Sequence, residues 1–253
     1  MIRAIMHGCC GAMGQVITSL AAEDDQIEIV AGIDPRKEQS MPYPVFASLE
    51  ECTVEADVVI DFAAAVAVDH LLEYCSKNCL PVIVCTTGLS KEQLDLVAEA
   101  GKTTAVLRSA NMSLGVNLLL KLVKEAALTL SEAGFDIEVV EKHHRKKVDA
   151  PSGTAIALAD SINDAMGQRF SYQYDRASRR EVRPADEIGI SAVRGGTIVG
   201  EHDVIFAGQD EVVTFSHTAY SKAIFAKGAI QAAKYLAGKP AGSYTMADVI
   251  ENR

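Results

Sequence analysis

Ile2-Arg3-Ala4-Ile5-Met6-His7-Gly8-Cys9-Cys10-Gly11-Ala12-Met13-Gly14 is the stretch whose reading decides the fold. The apolar run Ile2 to Met6 predicts a short strand, the glycines a tight turn, and Val16, Ile17 and Leu20 a helix face. Strand, glycine turn and helix N-terminus make the phosphate-cradling half of a dinucleotide site, because glycines let the backbone approach a pyrophosphate while helix amides point at it. The spacing is G-x-x-G-x-x-G, without the first glycine of G-x-G-x-x-G, so the motif alone does not decide and needs support from the neighbouring segments.

The second strand supplies it. Ile27 to Ile33 is apolar and ends at Asp34, where a carboxylate accepts the hydroxyls of an adenosine ribose. Arg36 and Lys37 beside it suit a 2′-phosphate, so acid and cations together leave NADH and NADPH both open. Strands at Asp57–Phe62, Pro81–Cys85 and Thr103–Leu107 then alternate with helices at Val66–Ser76 and from Ser90-Lys91-Glu92-Gln93, a capping box, to Gly101. Continuous apolar strands alternating with amphipathic helices predict a doubly wound, Rossmann-like parallel sheet. Ligands of that fold bind at the carboxyl ends of the strands, which makes Cys85-Thr86-Thr87-Gly88 and Ser109-Ala110-Asn111-Met112 candidate nicotinamide loops.

Composition narrows the function. The chain has 253 residues, 49% of them apolar, and 24 Lys and Arg against 34 Asp and Glu, for a net charge of −10. An acidic protein lacks the broad basic face that nucleic acid requires. No apolar run approaches the length of a membrane span, and the N-terminus leads directly into a strand, so a cytoplasmic location is expected. Cys9, Cys10, Cys52, Cys75, Cys79 and Cys85 form no C-x-x-C pair and read as reduced thiols, with no metal expected; Cys75 and Cys79 share a predicted helix face.

Against this acidity, Lys142-His143-His144-Arg145-Lys146-Lys147 is a local run of four cations and two imidazoles, followed by Val148-Asp149-Ala150-Pro151-Ser152-Gly153-Thr154. Ser152 or Thr154 can cap a helix beginning near Thr154, whose N-terminal amides suit a carboxylate, and Gly153 lets a ligand come close. Proton donors and anion-holding amides within a dozen residues point to proton delivery onto a small anion. The proton donors of this run are His143, His144 and Lys147, and Ser152, Gly153 and Thr154 form the turn whose amides would hold a substrate anion. Adjacent imidazoles point apart on a strand, which argues against His143 and His144 sharing a metal.

Around this loop the pattern predicts a long helix from Leu114 to Leu130, a strand over Phe135–Val140, a helix to about Met166, and a polar loop or interface arm from Gln168 to Glu187. Three strands come after it at Ile188–Arg194, Thr197–Phe206 and Glu211–Thr218, with Gly195-Gly196 and Gly208-Gln209-Asp210 read as hairpin turns. A helix over Ser221–Ala237 closes the pattern. The expected organisation is a dinucleotide-binding domain over 1–112 plus 223–253, and a smaller α+β domain with an open mixed or antiparallel sheet over 113–222 for substrate binding and oligomerisation.

The run from Glu138 to Ala155 closely resembles the signature of the 4-hydroxy-tetrahydrodipicolinate (dihydrodipicolinate) reductase family. The likeness extends to Gly8–Gly14, Thr86-Thr87-Gly88, Ala110–Asn117 and Val193–His202. The resemblance implies reduction of a cyclic dicarboxylate imine by NADH or NADPH on the diaminopimelate route to lysine, in a homotetramer built through the second-domain sheets. It implies His143 as general acid/base, Lys147 as proton donor, and His144, Lys147, Gly153 and Thr154 as substrate ligands. Gly8, Cys9, Cys10, Gly11, Ala12, Met13, Asp34, Cys85, Thr86, Thr87, Ser109, Ala110, Asn111 and Met112 would form the cofactor shell. Ala12 stands where the family usually has Arg, which argues against a strong NADPH preference; Ala63-Ala64-Ala65, Met112 and Lys222 are further departures.

Two other readings compete: a nicotinamide reductase for another small acid, and a dinucleotide sensor without catalysis. Neither has a reason to carry the run from His143 through Lys147 to Thr154.

Overall fold

The computed structural model describes residues 1–36 and 41–251. Lys37 lies outside the described residues. The chain divides into two compact units, Met1–Leu114 with Ala223–Arg253, and Gly115–Lys222.

The first unit is built on β1 (Ile2–His7), β2 (Ile27–Ile33), β3 (Val45–Phe46), β4 (Val58–Asp61), β5 (Val82–Val84), β6 (Ala105–Arg108) and β12 (Gly242–Tyr244). They form one sheet in the order β12-β6-β5-β4-β1-β2-β3. Every pairing is parallel. Successive side chains leave a strand on opposite faces, and both faces here are apolar. Ala4, Met6, Val58, Ile60, Ile83 and Leu107 pack with Ile17 of α1 (Ala12–Ala21) and with Ala226, Ala229 and Ile230 of α6 (Ala223–Leu236). Their neighbours Ile5, Val59, Val82, Val84 and Val106 pack instead with Leu71 and Cys75 of α2 (Val68–Lys77) and Val97 of α3 (Lys91–Ala100). The doubly wound architecture is thus as the alternation predicts. Strand order reverses between β1 and β4, the switch point at which such sheets bind ligands.

β3 and β12, with α7 (Met246–Glu251), are additions to the predicted set. Two or three residues carry no readable period. The expectation that Cys75 and Cys79 share a helix face fails: α2 stops at Lys77, and Cys79 is exposed beyond it at φ +50°.

The second unit holds α4 (Leu114–Leu130), β7 (Asp136–His143), α5 (Gly153–Ala165), β8 (Ser171–Tyr174), β9 (Glu187–Arg194), β10 (Gly200–Ala207) and β11 (Val212–Ala219). The sheet order is β11-β10-β7-β9-β8, antiparallel on one side of β7 and parallel on the other. This corrects the reading of Gly195-Gly196 as a hairpin turn. β9 and β10 do not pair with each other; β7 lies between them. The glycines close instead on the loop after β7, with Gly195 N–H donating to His143 O and Arg145 N–H to Gly196 O. The Gly208-Gln209-Asp210 turn does join a hairpin, β10–β11.

The segment read as a polar loop or arm contains β8, and its arginines tie it to the sheet. Arg183 donates to Asp136 and Glu138, and Arg176 to Glu138 and to the buried Glu187.

Candidate active site

The first unit gathers its polar groups at the carboxyl ends of its strands. After β1 the chain turns at Gly8, whose φ of +82° and whose approach to the Phe62 backbone, 2.9 Å from a would-be Cβ, both demand glycine. Helix α1 starts at Ala12 with Gly11 as its N-cap, and no side chain caps it. Its first amides are therefore available to an anion, the chemistry a pyrophosphate requires.

Asp34, 2% exposed, follows β2. Its Oδ2 accepts the Cys10 N–H at 3.1 Å, and its Oδ1 accepts the Arg36 N–H at 3.0 Å and Nε at 3.2 Å. Burial acts to raise its pKa, but Arg36 and the two amides outweigh burial and hold the carboxyl below its usual range. Arg36 is thus folded back on Asp34, each partly satisfying the group expected to recognise the ribose or its phosphate.

Several expected cofactor residues turn inward. Cys9 is fully buried, and burial, then the neighbouring Cys10, then Asp34 push its thiol up to about 12. Cys85 is buried, with its pKa raised by burial and then by the Asp61 charge. Met112 lies in the core, and its carbonyl sits where a Cβ on Gly228 would fall, so α6 packs directly on the Ser109–Met112 loop.

The Thr86 hydroxyl donates to Asp61 Oδ2 at 2.7 Å, and the Asn111 Oδ1 accepts the Ser113 N–H. Cys9, Cys85, Thr86 and Met112 are thus buried beneath the loops, and Asn111 is partly exposed. Ala12, Thr87, Ala110 and Arg36 are exposed; Gly11, Met13 and Ser109 are partly so.

Sequence reasoning missed the group at the centre of this edge. Asp61 is fully buried at the end of β4, with Oδ1 accepting the Ala63 N–H at 3.0 Å and lying 2.8 Å from His7 Nδ1. His7 and Asp61 are register partners on β1 and β4, each closing an apolar strand; that shared terminal position was the available signal.

In the second unit β7 alternates buried residues at Ile137, Val139, Glu141 and His143. The first two join the core under α4 and α5, so the next two carry that face outward as a carboxylate and an imidazole. Glu141 is fully buried. Its Oε2 is 2.6 Å from His143 Nδ1, and its Oε1 accepts the Ser152 N–H at 2.9 Å. Arg194, brought alongside by the β7–β9 pairing, donates to both oxygens at 2.7 and 2.6 Å. Burial works to raise the Glu141 pKa; Arg194, His143 and the Ser152 amide outweigh it, so the carboxyl stays ionised below its usual range. An ionised acceptor fixes a proton on His143 Nδ1 and leaves Nε2 as the exchanging nitrogen.

Ser152 caps α5 by accepting the Ala155 N–H, and its Oγ lies 3.0 Å from His202 Nε2. Both its polar groups are thereby used. Gly153 is exposed, and a Cβ there would meet nothing within 4 Å, leaving room for a ligand over the start of α5. Lys147 Nζ pairs with the exposed Asp149 at 2.9 Å, and His144 is half-buried with an unpartnered Nδ1.

His202 and His217 continue the row from Glu141 across β10 and β11. Burial, then the His143 and His217 charges, lower the His202 pKa to about 4. It stays neutral in the folded chain from its ordinary 6.5 down to about 4, while the unfolded chain takes up a proton. Stability should therefore fall over that window by on the order of 2–3 kcal/mol. Urea unfolding at pH 7 and pH 5 should show a smaller loss in His202→Gln than in the parent; equal losses would contradict the assignment.

The chain matches family models for both halves of one enzyme: "Dihydrodipicolinate reductase, N-terminus" over residues 2–112 and "Dihydrodipicolinate reductase, C-terminus" over 115–250. The chain belongs to the dihydrodipicolinate reductase family. Among curated members of this reductase family, the 4-hydroxy-tetrahydrodipicolinate reductase of Caldanaerobacter subterraneus subsp. tengcongensis is 53% identical over 251 residues, covering 99% of each chain. That of Clostridium novyi is 48% identical over 253 residues and covers both completely. A solved reductase, the dipicolinate-bound enzyme of Paenisporosarcina sp. TG-14, superposes with a TM-score of 0.83 at 25% identity, covering 99% of each chain. The reductases of this family draw on NADH or NADPH, and the dinucleotide fold of the first unit agrees. Among the described residues no helix is long and apolar enough to cross a membrane.

Proposed function

We infer that the chain reduces 4-hydroxy-tetrahydrodipicolinate to tetrahydrodipicolinate at the expense of NADH or NADPH, as a step toward diaminopimelate and lysine. Full-length likeness to reductases of that name supports the reaction. At the site, one observation carries the residue assignment: a fully buried, ionised Glu141 holds His143 Nδ1 beside the N-terminus of α5.

A reduced nicotinamide supplies a hydride when bound. The uncapped amides of α1, with Gly8, Gly11, Ala12 and Met13 around them, would hold its pyrophosphate. Asp34 and Arg36 would open from each other to meet the adenosine ribose, and Thr87, Ser109 and Ala110 would line the nicotinamide end.

Loss of the 4-hydroxyl as water gives a conjugated imine; hydride addition to it leaves negative charge on the ring, and that charge must be met by a proton. Doubly protonated His143 delivers it from Nε2 and is left as the Nδ1–H tautomer that Glu141 holds. Lys147, released from Asp149, pairs with one substrate carboxylate and assists proton delivery, while the amides of Gly153 and Thr154 and the His144 ring hold the other. The dipicolinate bound by the Paenisporosarcina relative is a dicarboxylate of this size. The subunits associate as a homotetramer through the exposed side of the second sheet, and the enzyme works in the cytoplasm, where its six free thiols stay reduced.

The deciding assay generates the substrate in situ by condensing aspartate semialdehyde with pyruvate and follows oxidation of NADH and NADPH. Oxidation that depends on the condensation is expected with both. No oxidation with either would refute the reading.

A further inference from the structure

We propose that Cys9, Cys10 and Asp34 form a binding site for a thiophilic divalent cation of the zinc class, and that this cation and the dinucleotide exclude each other. The second half rests on reading the glycine turn as the cofactor site; the first does not.

The Cys9 and Cys10 sulfurs stand 3.9 Å apart. Two thiolates on one tetrahedral zinc, each about 2.3 Å from the metal, stand about 3.8 Å apart. The pair is already at ligand separation, and one Asp34 oxygen with the two sulfurs forms a set within 4.8 Å of one another. This is not the C-x-x-C spacing by which thiol metal sites are read from sequence; the Gly8 turn brings neighbouring side chains together that a strand would send apart.

The surroundings fit a cation. All three residues are buried, at 0%, 6% and 2% exposure, so a bound ion would be shielded from water on most sides. Cys9 packs on Gly32 of β2, and the Cys10 amide bonds Asp34, so turn and carboxylate converge on one point. Charge also closes. Two thiolates, one carboxylate and a dication sum to −1, and the Arg36 guanidinium on Asp34 brings the cluster to neutrality, avoiding the penalty of a buried net charge. Binding breaks two S–H bonds, forms two metal–sulfur bonds and releases two protons to solvent, with no change of oxidation state.

Exclusion follows from the shared carboxylate. Both Asp34 oxygens already accept protein hydrogen bonds, so a metal on one of them competes with the ribose hydroxyls for what is left, and a metal pinned to Cys9 and Cys10 fixes the turn over which the dinucleotide must lie.

The test uses the reduced, chelator-treated full chain titrated with cobalt(II) as a spectroscopic stand-in. Expected are a thiolate-to-cobalt charge-transfer band saturating at one cobalt per chain and the intense visible bands of tetrahedral cobalt. Both should vanish in the double variant Cys9→Ser, Cys10→Ser and persist in Cys79→Ser, which removes an exposed thiol elsewhere. Excess NADH should discharge the bands from the parent.

Absence of the charge-transfer band in the parent, or its survival in the double variant, would overturn the site. Should the double variant fail to fold by circular dichroism, the parent spectrum and Asp34→Asn decide, the latter being expected to weaken cobalt binding at least tenfold. Bands that NADH leaves untouched would overturn the exclusion. NADH fluorescence on the metal-free chain separates the two readings: no binding there refutes the cofactor site, and the exclusion with it, while the cobalt spectrum still judges the metal site.

Discussion

Lys147→Ala is expected to lower turnover by roughly 10²–10⁴-fold, the range for a lost proton donor, while leaving the dissociation constant for NADH unchanged. Lys147 makes one ion pair, to the exposed Asp149, so its removal leaves no buried group unsatisfied and the thermal midpoint should hardly move. His143→Ala should reach a similar loss by another route. It vacates one contact on Glu141, which keeps both Arg194 hydrogen bonds and the Ser152 amide, so the stability cost is about 1 kcal/mol. The two residues should separate in the Michaelis constant. On the proposed reading Lys147 also binds a carboxylate, so its variant should raise the constant for the substrate, whereas His143→Ala should act mainly on turnover. Steady-state rates with NADH fixed and substrate varied would decide; near-normal turnover in both variants would refute the assignment.

The reach of sequence reasoning differs between the units for a physical reason. In the parallel sheet each strand is apolar on both faces and each helix on one, so the pattern lies within single segments, and strands such as Val58–Asp61 are legible alone. Two- and three-residue strands such as β3 and β12 exist by pairing with neighbours and carry no pattern of their own. The loop after β7 was legible because its cations, imidazoles and helix cap are consecutive.

What organises that loop was not legible. Glu141 and Arg194 are 53 residues apart and meet through parallel pairing, while the Gly195-Gly196 turn beside Arg194 suggested a hairpin that would have put β10 in the place of β7. Position at a strand end likewise does not separate an exposed side chain from a buried one. Thr87 is exposed and Thr86 is spent on Asp61, yet the two are alike in sequence.

The buried Glu141–Arg194 pair yields the largest effect on stability. Arg194→Ala would strip Glu141 of the group that bonds both its oxygens, leaving a carboxylate with no solvent exposure supported only by His143 and one amide. Breaking a buried pair from one side costs about 3–5 kcal/mol, because the remaining charge is neither solvated nor matched. The pH dependence should also change sign. In the parent, Glu141 titrates below its ordinary 4.5, so its contribution is present above that value and fades as pH falls through the lowered one. In Arg194→Ala, burial is no longer outweighed and the folded-state pKa moves above 4.5, so the same carboxyl makes the protein less stable as pH rises past that value. Urea unfolding between pH 4 and pH 7 would reveal this as a parent-minus-variant difference that widens toward neutrality. A constant difference would mean that Arg194 stabilises by packing alone, and that Glu141 is not the ionised acceptor that orients His143.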